Sequence, residues 1–167
     1  MDNIEIESKI YHINSSDSLV EKYLPGACSK SEEDAKQKVL DLTRNYLLKL
    51  CVPFVIASSS EKVPLGYIVC NTPLYYSSEN YDEKIDDWTI DFWLNESVRG
   101  KKIMYHALYC ILGYLQSNEV ERVYIFVDKD NYPSIRIIEK CNLIFIKEVD
   151  EGKKLKYGVA LKPNISL

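Results

Sequence analysis

A cluster of basic residues lies where a strand-like segment gives way to a helix-like one, in Arg99-Gly100-Lys101-Lys102. The first N–H groups of a helix have no partner within the helix, and the helix dipole places positive charge behind them. Such a junction is a ready site for phosphate groups. Lysine is unfavourable in a first helical turn unless an anion offsets its charge. The pattern therefore predicts a phosphate or pyrophosphate site; the alternative is a solvated basic turn.

The composition of the chain limits the classes of partner. The chain has 167 residues, a formal net charge of −4, 46% hydrophobic residues and 28% charged residues, which is typical of one globular domain. A nucleic-acid partner would need concentrated Lys and Arg, and a membrane span would need roughly 20 consecutive apolar residues. The acidic N-terminal segment does not resemble a signal peptide. We therefore expect a single cytoplasmic domain over residues 1–167, with neither nucleic acid nor membrane as a partner.

The cysteines and histidines do not have the spacing of a metal site. The five cysteines lack any C-x-x-C pair, and the two histidines, His12 and His106, are far apart in the sequence. All the cysteines except Cys28 lie in apolar runs, which favours buried free thiols in a reducing compartment. The sequence therefore predicts no metal.

Hydrophobic periodicity predicts a mixed α/β domain with the order β-α-α-β-β-β-α-β-α-β-β and a mostly antiparallel sheet. The predicted strands cover residues 4–13, 53–58, 65–72, 87–94, 122–128, 143–149 and 154–162. The predicted helices run from 15 or 16 to 24, from 31 to about 50, and over 101–117 and 131–141. Residues 73–84 are expected to form a surface loop.

Several segments resemble motifs of the GNAT superfamily of N-acetyltransferases. R-G-K-K-I-M, residues 99–104, is similar to the family's pyrophosphate loop, [QR]-x-x-G-x-[GA], with Arg99 at the first position. Lys102 stands at the usual Gly, and Met104 stands at the usual Gly or Ala. Downstream, N-Y-P-S resembles N-x-x-[AS], and E-K-C-N-L resembles E-K-x-G-F. The preceding stretch, TIDFWLNESVRG, resembles the ribosomal-protein N-alpha-acetyltransferase branch.

The resemblance implies acetyl-CoA as a cosubstrate. In the family, strands matching 87–94 and 122–128 are a central parallel pair that splays apart at the cofactor site. Backbone amides of the matched loop hold the pyrophosphate, and the end of the preceding strand pairs with the pantetheine. The cofactor-binding residues implied in this way are Trp93, Leu94, Asn95, Arg99, Gly100, Lys101, Lys102, Ile103, Met104, Asn131 and Ser134.

The resemblance also implies direct attack of an amine on the thioester in a ternary complex, with a strand carboxylate as base. The branch's glutamate aligns with Thr89, so Asp91, two residues along on the same strand face, is the predicted base. The alternative for Asp91 is a structural, hydrogen-bonded carboxylate. The family's frequent acid, a tyrosine, aligns with Ile138, which leaves Ser134 as the predicted thiol-contacting residue.

The acceptor is expected to be a primary amine, either a protein N-terminus or a small molecule, and the protein a monomer or homodimer. Tyrosines and acidic residues between positions 75 and 87 could line a site for a cationic acceptor, or they form a solvated loop. Two further hypotheses remain open. Lys102, Ile138 and Thr89 favour a catalytically weak or inactive acyl-CoA-binding module. The basic helix start also suits an interaction domain that binds another anion.

Overall fold

The computed structural model describes residues 3–60, 63–78 and 86–162. The helices are α1 Asn3–Ser15, α2 Ser18–Tyr23, α3 Glu32–Leu47, α4 Pro73–Ser78, α5 Ile103–Ser117 and α6 Tyr132–Lys140. The strands are β1 Cys51–Ala57, β2 Pro64–Asn71, β3 Trp88–Leu94, β4 Arg122–Asp128, β5 Ile144–Val149 and β6 Lys154–Ala160. A short 3-10 turn, Glu96–Val98, separates β3 from α5. Within those ranges, no helix combines the length and the apolar character needed to cross a membrane.

The strands form one six-stranded sheet in the order β1-β2-β3-β4-β6-β5. The parallel pair is β3 and β4, with Trp88 opposite Val123 and Thr89 opposite Tyr124. Helix α5 makes the crossover between them, as parallel neighbours require. The pairs β4–β6 and β5–β6 are antiparallel. The predicted mixed α/β fold with a central parallel pair is therefore confirmed.

The chain forms two compact units, each with its own core. The first consists of Met1–Val69 and Phe92–Lys101, and the second of Cys70–Asp91 and Lys102–Leu167. The core of the first unit contains Tyr11, Val20, Cys28, Ala35, Cys51, Tyr67, Val69 and Trp93. Buried residues of the second unit include Leu108, Leu115, Val123, Ile125, Ile138, Leu143 and Tyr157. The single domain over residues 1–167 stays a prediction.

The predicted first strand, residues 4–13, is wrong, because this segment belongs to helix α1. Its buried residues include Ser8, Tyr11 and Ser15, which recur every three or four positions and so share one helix face. Two of these three residues are polar, so the sequence showed no apolar stripe of helical period.

The isoleucines of α1 produced the alternation of apolar and polar residues that predicted a strand. Ile6 is 44% exposed and Ile13 is 66% exposed, so neither marks the buried face. The buried serines are accommodated because their hydroxyls bond to helix carbonyls four residues earlier: Ser8 Oγ to Ile4 O at 2.5 Å and Ser15 Oγ to Tyr11 O at 2.9 Å. A helix that buries hydroxyls and exposes isoleucines reverses the usual signal.

Two other expectations need correction. The predicted loop over 73–84 begins with helix α4, and its residues 79–84 lie outside the described ranges. Helix α5 begins at Ile103 rather than at residue 101. The reason lies in the backbone, because Gly100 and Lys102 both have positive φ and so cannot belong to a right-handed helix.

Candidate active site

The turn between β3 and α5 has an unusual backbone. Gly100 has φ of +76°, and a Cβ built there would have no atom within 4 Å. Lys102, the N-cap of α5, has φ of 62° and ψ of 7°, which is the left-handed region. A side chain in that region costs about 1–2 kcal/mol, a cost that glycine avoids. The chain therefore places lysine where the matched motif has glycine, in the conformation that favours glycine.

The start of α5 presents backbone donors. Lys102 makes no side-chain capping hydrogen bond. The N–H of His106 donates to Lys102 O at 3.2 Å, which is the first intrahelical bond of this helix. The N–H groups of Ile103 and Met104 precede that bond, so they have no acceptor within the helix. The side chain of Met104 is buried, so its contribution to an anion site would come from its backbone N–H.

The guanidinium of Arg99, which was predicted to bind a phosphate group, is hydrogen-bonded within the protein. Its Nε and Nη2 donate to Leu94 O at 3.1 and 2.8 Å, and Nη2 also donates to Asp17 Oδ2 at 2.5 Å. Asp17 is the N-cap of α2, where its Oδ1 accepts from the N–H groups of Leu19 and Val20. The guanidinium thus fastens the turn after β3 to the start of α2, and its charge is paired with a carboxylate.

Asn95 fixes the end of β3 in the same unit. Its Nδ2 donates to Ile13 O at 2.9 Å, and its backbone N–H donates to Leu65 O at 2.8 Å. Its Oδ1 accepts from the N–H and the hydroxyl of Ser97, at 3.0 and 2.6 Å. The Asn95 side chain therefore shapes the turn through Oδ1 and links it to helix α1 through Nδ2. Next to it, the exposed Lys101 donates from Nζ to Ser97 O at 3.1 Å.

The side chain of Trp93 lies in the core. It stacks on Tyr67, with ring centroids 5.3 Å apart and planes at 21°, and meets Tyr11 edge-on at 5.9 Å. The Nε1 of Trp93 is buried without a hydrogen-bond partner among the described residues. The side chain of Leu94 is also buried. A role for Trp93 or Leu94 in cofactor binding must therefore use the backbone.

Asp91 is held by an amide from the neighbouring strand. Asn71 Nδ2, at the end of β2, donates to Asp91 Oδ2 at 2.9 Å and to Thr89 Oγ1 at 3.4 Å. Burial raises the pKa of Asp91, while the hydrogen bond from Asn71 and the charge of Lys154 act in the opposite direction. A carboxylate with a raised pKa is a better proton acceptor than an exposed aspartate. Asn71 was missed in the sequence, although its place at the end of the apolar run YIVC was a signal.

Asn131 and Ser134 meet at the start of α6. Asn131 is the N-cap, and its Oδ1 accepts from the N–H of Ser134 at 3.4 Å. Both residues are partly exposed. Ile138, at the position of the family's tyrosine, is 0% exposed, so that position is filled by core packing. The polar side chain available in this motif is therefore the hydroxyl of Ser134.

The predicted site residues are divided between the two compact units. The first unit holds Trp93 to Lys101, and the second holds Asp91, Lys102 to Met104, Asn131 and Ser134. Of the predicted acidic acceptor stretch, residues 79–85 lie outside the described ranges, and Asp87 pairs with Arg122 at 3.3 Å. Among the residues that the structure describes, no group of three or more His, Cys, Asp and Glu is placed to hold a metal ion.

Solved structures similar to this chain include several acetyltransferases. A GNAT-family acetyltransferase from Bacillus anthracis has a TM-score of 0.71 at 21% identity, covering 94% of this chain and 90% of that one. An aminoglycoside acetyltransferase in complex with coenzyme A has a TM-score of 0.73 at 15% identity, covering 95% and 89%. The ribosomal L7/L12 alpha-N-protein acetyltransferase RimL, also with coenzyme A, has a TM-score of 0.64 at 15% identity, covering 94% and 84%. At these identities the likeness establishes the fold.

Sequence comparison establishes the family. No curated protein sequence matches the chain significantly. The family model described as "Acetyltransferase (GNAT) domain" matches residues 6–144, which include β3, the turn with Gly100 and Lys102, α5 and the Asn131 motif. The chain therefore belongs to the GNAT acetyltransferase family.

Proposed function

We propose that this protein is an acetyl-CoA-dependent N-acetyltransferase that transfers the acetyl group to a primary amine by direct attack in a ternary complex. The observation that supports this most is the environment of Asp91. Its carboxylate accepts a hydrogen bond from Asn71, and burial raises its pKa. In a chain of the GNAT family, such a group suits the removal of a proton from an ammonium ion.

The start of α5 fits the pyrophosphate of the cosubstrate. The backbone N–H groups from Gly100 to Met104 would hold it, aided by the charges of Lys101 and Lys102. Gly100 leaves room for close approach, since a Cβ there would meet nothing within 4 Å. Arg99 positions this turn through Asp17 and Leu94 O. Two structurally similar acetyltransferases carry coenzyme A, which supports the same ligand here.

The residues of the second unit provide the chemistry. A primary amine arrives mainly as an ammonium ion, and Asp91 accepts one of its protons so that the nitrogen lone pair is free. When bound, acetyl-CoA supplies a thioester whose carbonyl carbon forms the new C–N bond as its C–S bond breaks. The Ser134 hydroxyl, partly exposed on α6, is the proposed contact for the leaving sulfur. The nitrogen loses its second proton as the thiolate gains one, and Asp91 later returns its proton to water.

The acceptor is proposed to be a primary amine, either of a protein N-terminus or of a small molecule. An aminoglycoside acetyltransferase and an alpha-N-protein acetyltransferase are among the proteins of similar fold, which supports an amine without choosing between the two. Fold likeness is a weak guide to substrate, so the acceptor class depends on the chemistry of Asp91.

A second candidate function is an acyl-CoA-binding module without turnover. Two observations favour it: Lys102 occupies a left-handed conformation that suits glycine, and Ile138 fills the position of the family's tyrosine. Both functions require the cosubstrate to bind. They differ in whether an amine is acetylated.

Calorimetry with two ligands, followed by a turnover assay, tests the proposal. Acetyl-CoA is expected to bind, and acetyl-pantetheine, which lacks the pyrophosphate, to bind far more weakly. Thiol release is then followed over a panel of polyamines, aminoglycosides and peptides with free N-termini. Binding with turnover supports the enzyme, and binding with no turnover across the panel supports the module. Equal affinity for the two ligands, or no binding of either, contradicts the pyrophosphate site.

A further inference from the structure

Asn71, Thr89 and Asp91 form a hydrogen-bonded group. Asn71 is the last residue of β2, while Thr89 and Asp91 share one face of β3, the next strand in the sheet. Asn71 is 4% exposed and Thr89 is 2% exposed. A buried amide donor is costly unless it is hydrogen-bonded, and here Nδ2 of Asn71 donates to Asp91 Oδ2 at 2.9 Å and to Thr89 Oγ1 at 3.4 Å.

The orientation of the Asn71 amide follows from its partner. An ionised carboxylate only accepts hydrogen bonds, so the NH₂ end of the amide must face Asp91. The bond is made to Oδ2, one of two oxygens that would otherwise be equivalent. A hydrogen bond to a carboxylate oxygen stabilises its negative charge and makes that oxygen less basic. Oδ1 is therefore the more basic oxygen of Asp91.

We propose that Asn71 is a positioning residue for the base: it holds Oδ2 of Asp91 so that the proton of the substrate ammonium passes to Oδ1. This inference rests on the proposed function, in which Asp91 is the base. No new covalent step is involved. One N–H bond of the ammonium breaks, one O–H bond forms at Oδ1, and water later takes the proton.

Asn71 also keeps the base ionised. Burial favours the neutral carboxyl, and two groups of the described residues oppose it, the amide of Asn71 and the charge of Lys154 on β6. Without the amide, Asp91 would hold its proton to a higher pH and would be unable to accept another. Loss of Asn71 should therefore raise the pKa of Asp91 further.

The test uses Asn71→Leu, which keeps the size and removes the donor, with Thr89→Val as the matched control. Thr89→Val removes a hydroxyl from the same cluster but leaves the bond from Asn71 to Asp91. Asn71→Ala provides a second variant without the donor if the leucine variant does not fold. Two quantities are measured for each: the pH dependence of kcat/KM, and the titration of the Asp91 carboxyl carbon by ¹³C NMR, assigned with Asp91→Asn.

The inference predicts that Asn71→Leu moves the acidic limb of kcat/KM and the carbon titration upward together, by roughly one pH unit, while Thr89→Val moves neither by more than a few tenths. A merely structural role would lower activity without moving either midpoint. Unchanged midpoints in Asn71→Leu and Asn71→Ala overturn the inference and leave the base assignment intact. Full activity in Asp91→Asn overturns the base assignment, and with it the role of Asn71 in catalysis.

Discussion

Replacing Lys102 by glycine tests the strain at the start of α5. The φ of 62° places this residue in the left-handed region. Relief of that strain is worth about 1–2 kcal/mol. The greater freedom of glycine in the unfolded chain opposes it by about 0.4–1 kcal/mol. The free energy of unfolding of Lys102→Gly should therefore exceed that of the wild type by roughly 0.5–1 kcal/mol. For a chain of this length this corresponds to a rise in Tm of about 1–4 °C.

Lys101→Gly is the matched control. It removes the same charge one residue earlier, at a position that is not among those with positive φ. No strain is relieved there, and the exposed hydrogen bond from Lys101 Nζ to Ser97 O is lost in addition to the entropic cost, so Tm should fall slightly. Both variants should also lose affinity for acetyl-CoA, because each removes one cation from the proposed pyrophosphate site.

The assay is thermal denaturation of the three proteins in one buffer without ligand, followed by calorimetry with acetyl-CoA. If strain at Lys102 is real, Lys102→Gly is the most stable of the three proteins and Lys101→Gly the least stable. A Tm for Lys102→Gly at or below that of Lys101→Gly would refute the reasoning, because the charge change is common to both variants. Unchanged affinity in both variants would contradict the role of these lysines in binding.

Three further predictions concern other parts of the chain. Asp91→Asn should lower kcat/KM by about 10²- to 10⁴-fold, measured by thiol release, and a loss below tenfold contradicts its role as base. The pKa of Asp91 is raised in the folded protein. The Asp91 carboxyl therefore contributes most to the free energy of unfolding below the ordinary pKa of aspartate, and this contribution is lost as the pH rises through the raised pKa. Denaturation curves measured over this pH range should show that Asp91→Asn removes this part of the pH dependence. Gly66→Ala should destabilise the protein by about 1–3 kcal/mol or more, because the new Cβ would overlap Trp93 O and lie 2.9 Å from Leu94 Cα. The control, Gly113→Ala in α5, should be neutral or stabilising, because a Cβ there would have no atom within 4 Å. Similar Tm values for the two variants would contradict the close approach of β2 and β3.

Local signals in the sequence predicted several helix boundaries well. Ser31, where the second helix was predicted to begin, is the N-cap of α3, and its Oγ accepts from the N–H of Asp34 at 3.1 Å. The carboxylate of Asp34 reaches back to the N–H of Lys30, one residue before the cap, rather than to the cap itself. Such motifs involve neighbours in sequence, so residue types and spacing are enough to find them.

Contacts between distant segments could not be predicted in the same way. Arg99 meets Asp17, and Asn95 meets Ile13 O, each across 82 positions. The sequence indicated that Arg99 was basic and near a helix start, but its ion pair depends on the placement of α2. The partner of Asp91 was missed for the same reason, because Asn71 lies 20 residues away on the neighbouring strand.

Helix α1 was missed for a different reason, since it departs from the usual hydrophobic pattern. Its buried Ser8 and Ser15 donate their hydroxyls to carbonyls of the same helix, and Ser15 Oγ also lies 2.7 Å from Ser29 Oγ, so polar residues can occupy buried positions there. Periodicity methods assume that buried positions are apolar. That assumption failed here while it held for β4, a strand with apolar residues on both faces.

The most direct test of the central proposal is the rate of amine acetylation by the wild-type chain and by Asp91→Asn, at saturating acetyl-CoA, with the product identified by mass spectrometry. The proposal predicts one added acetyl group on a primary amine, formed at a rate at least 10²-fold higher in the wild type than in the variant. Equal rates in the two proteins would contradict the assignment of Asp91. No acetylated amine across the panel, despite pyrophosphate-dependent binding, would contradict the enzyme and favour the acyl-CoA-binding module.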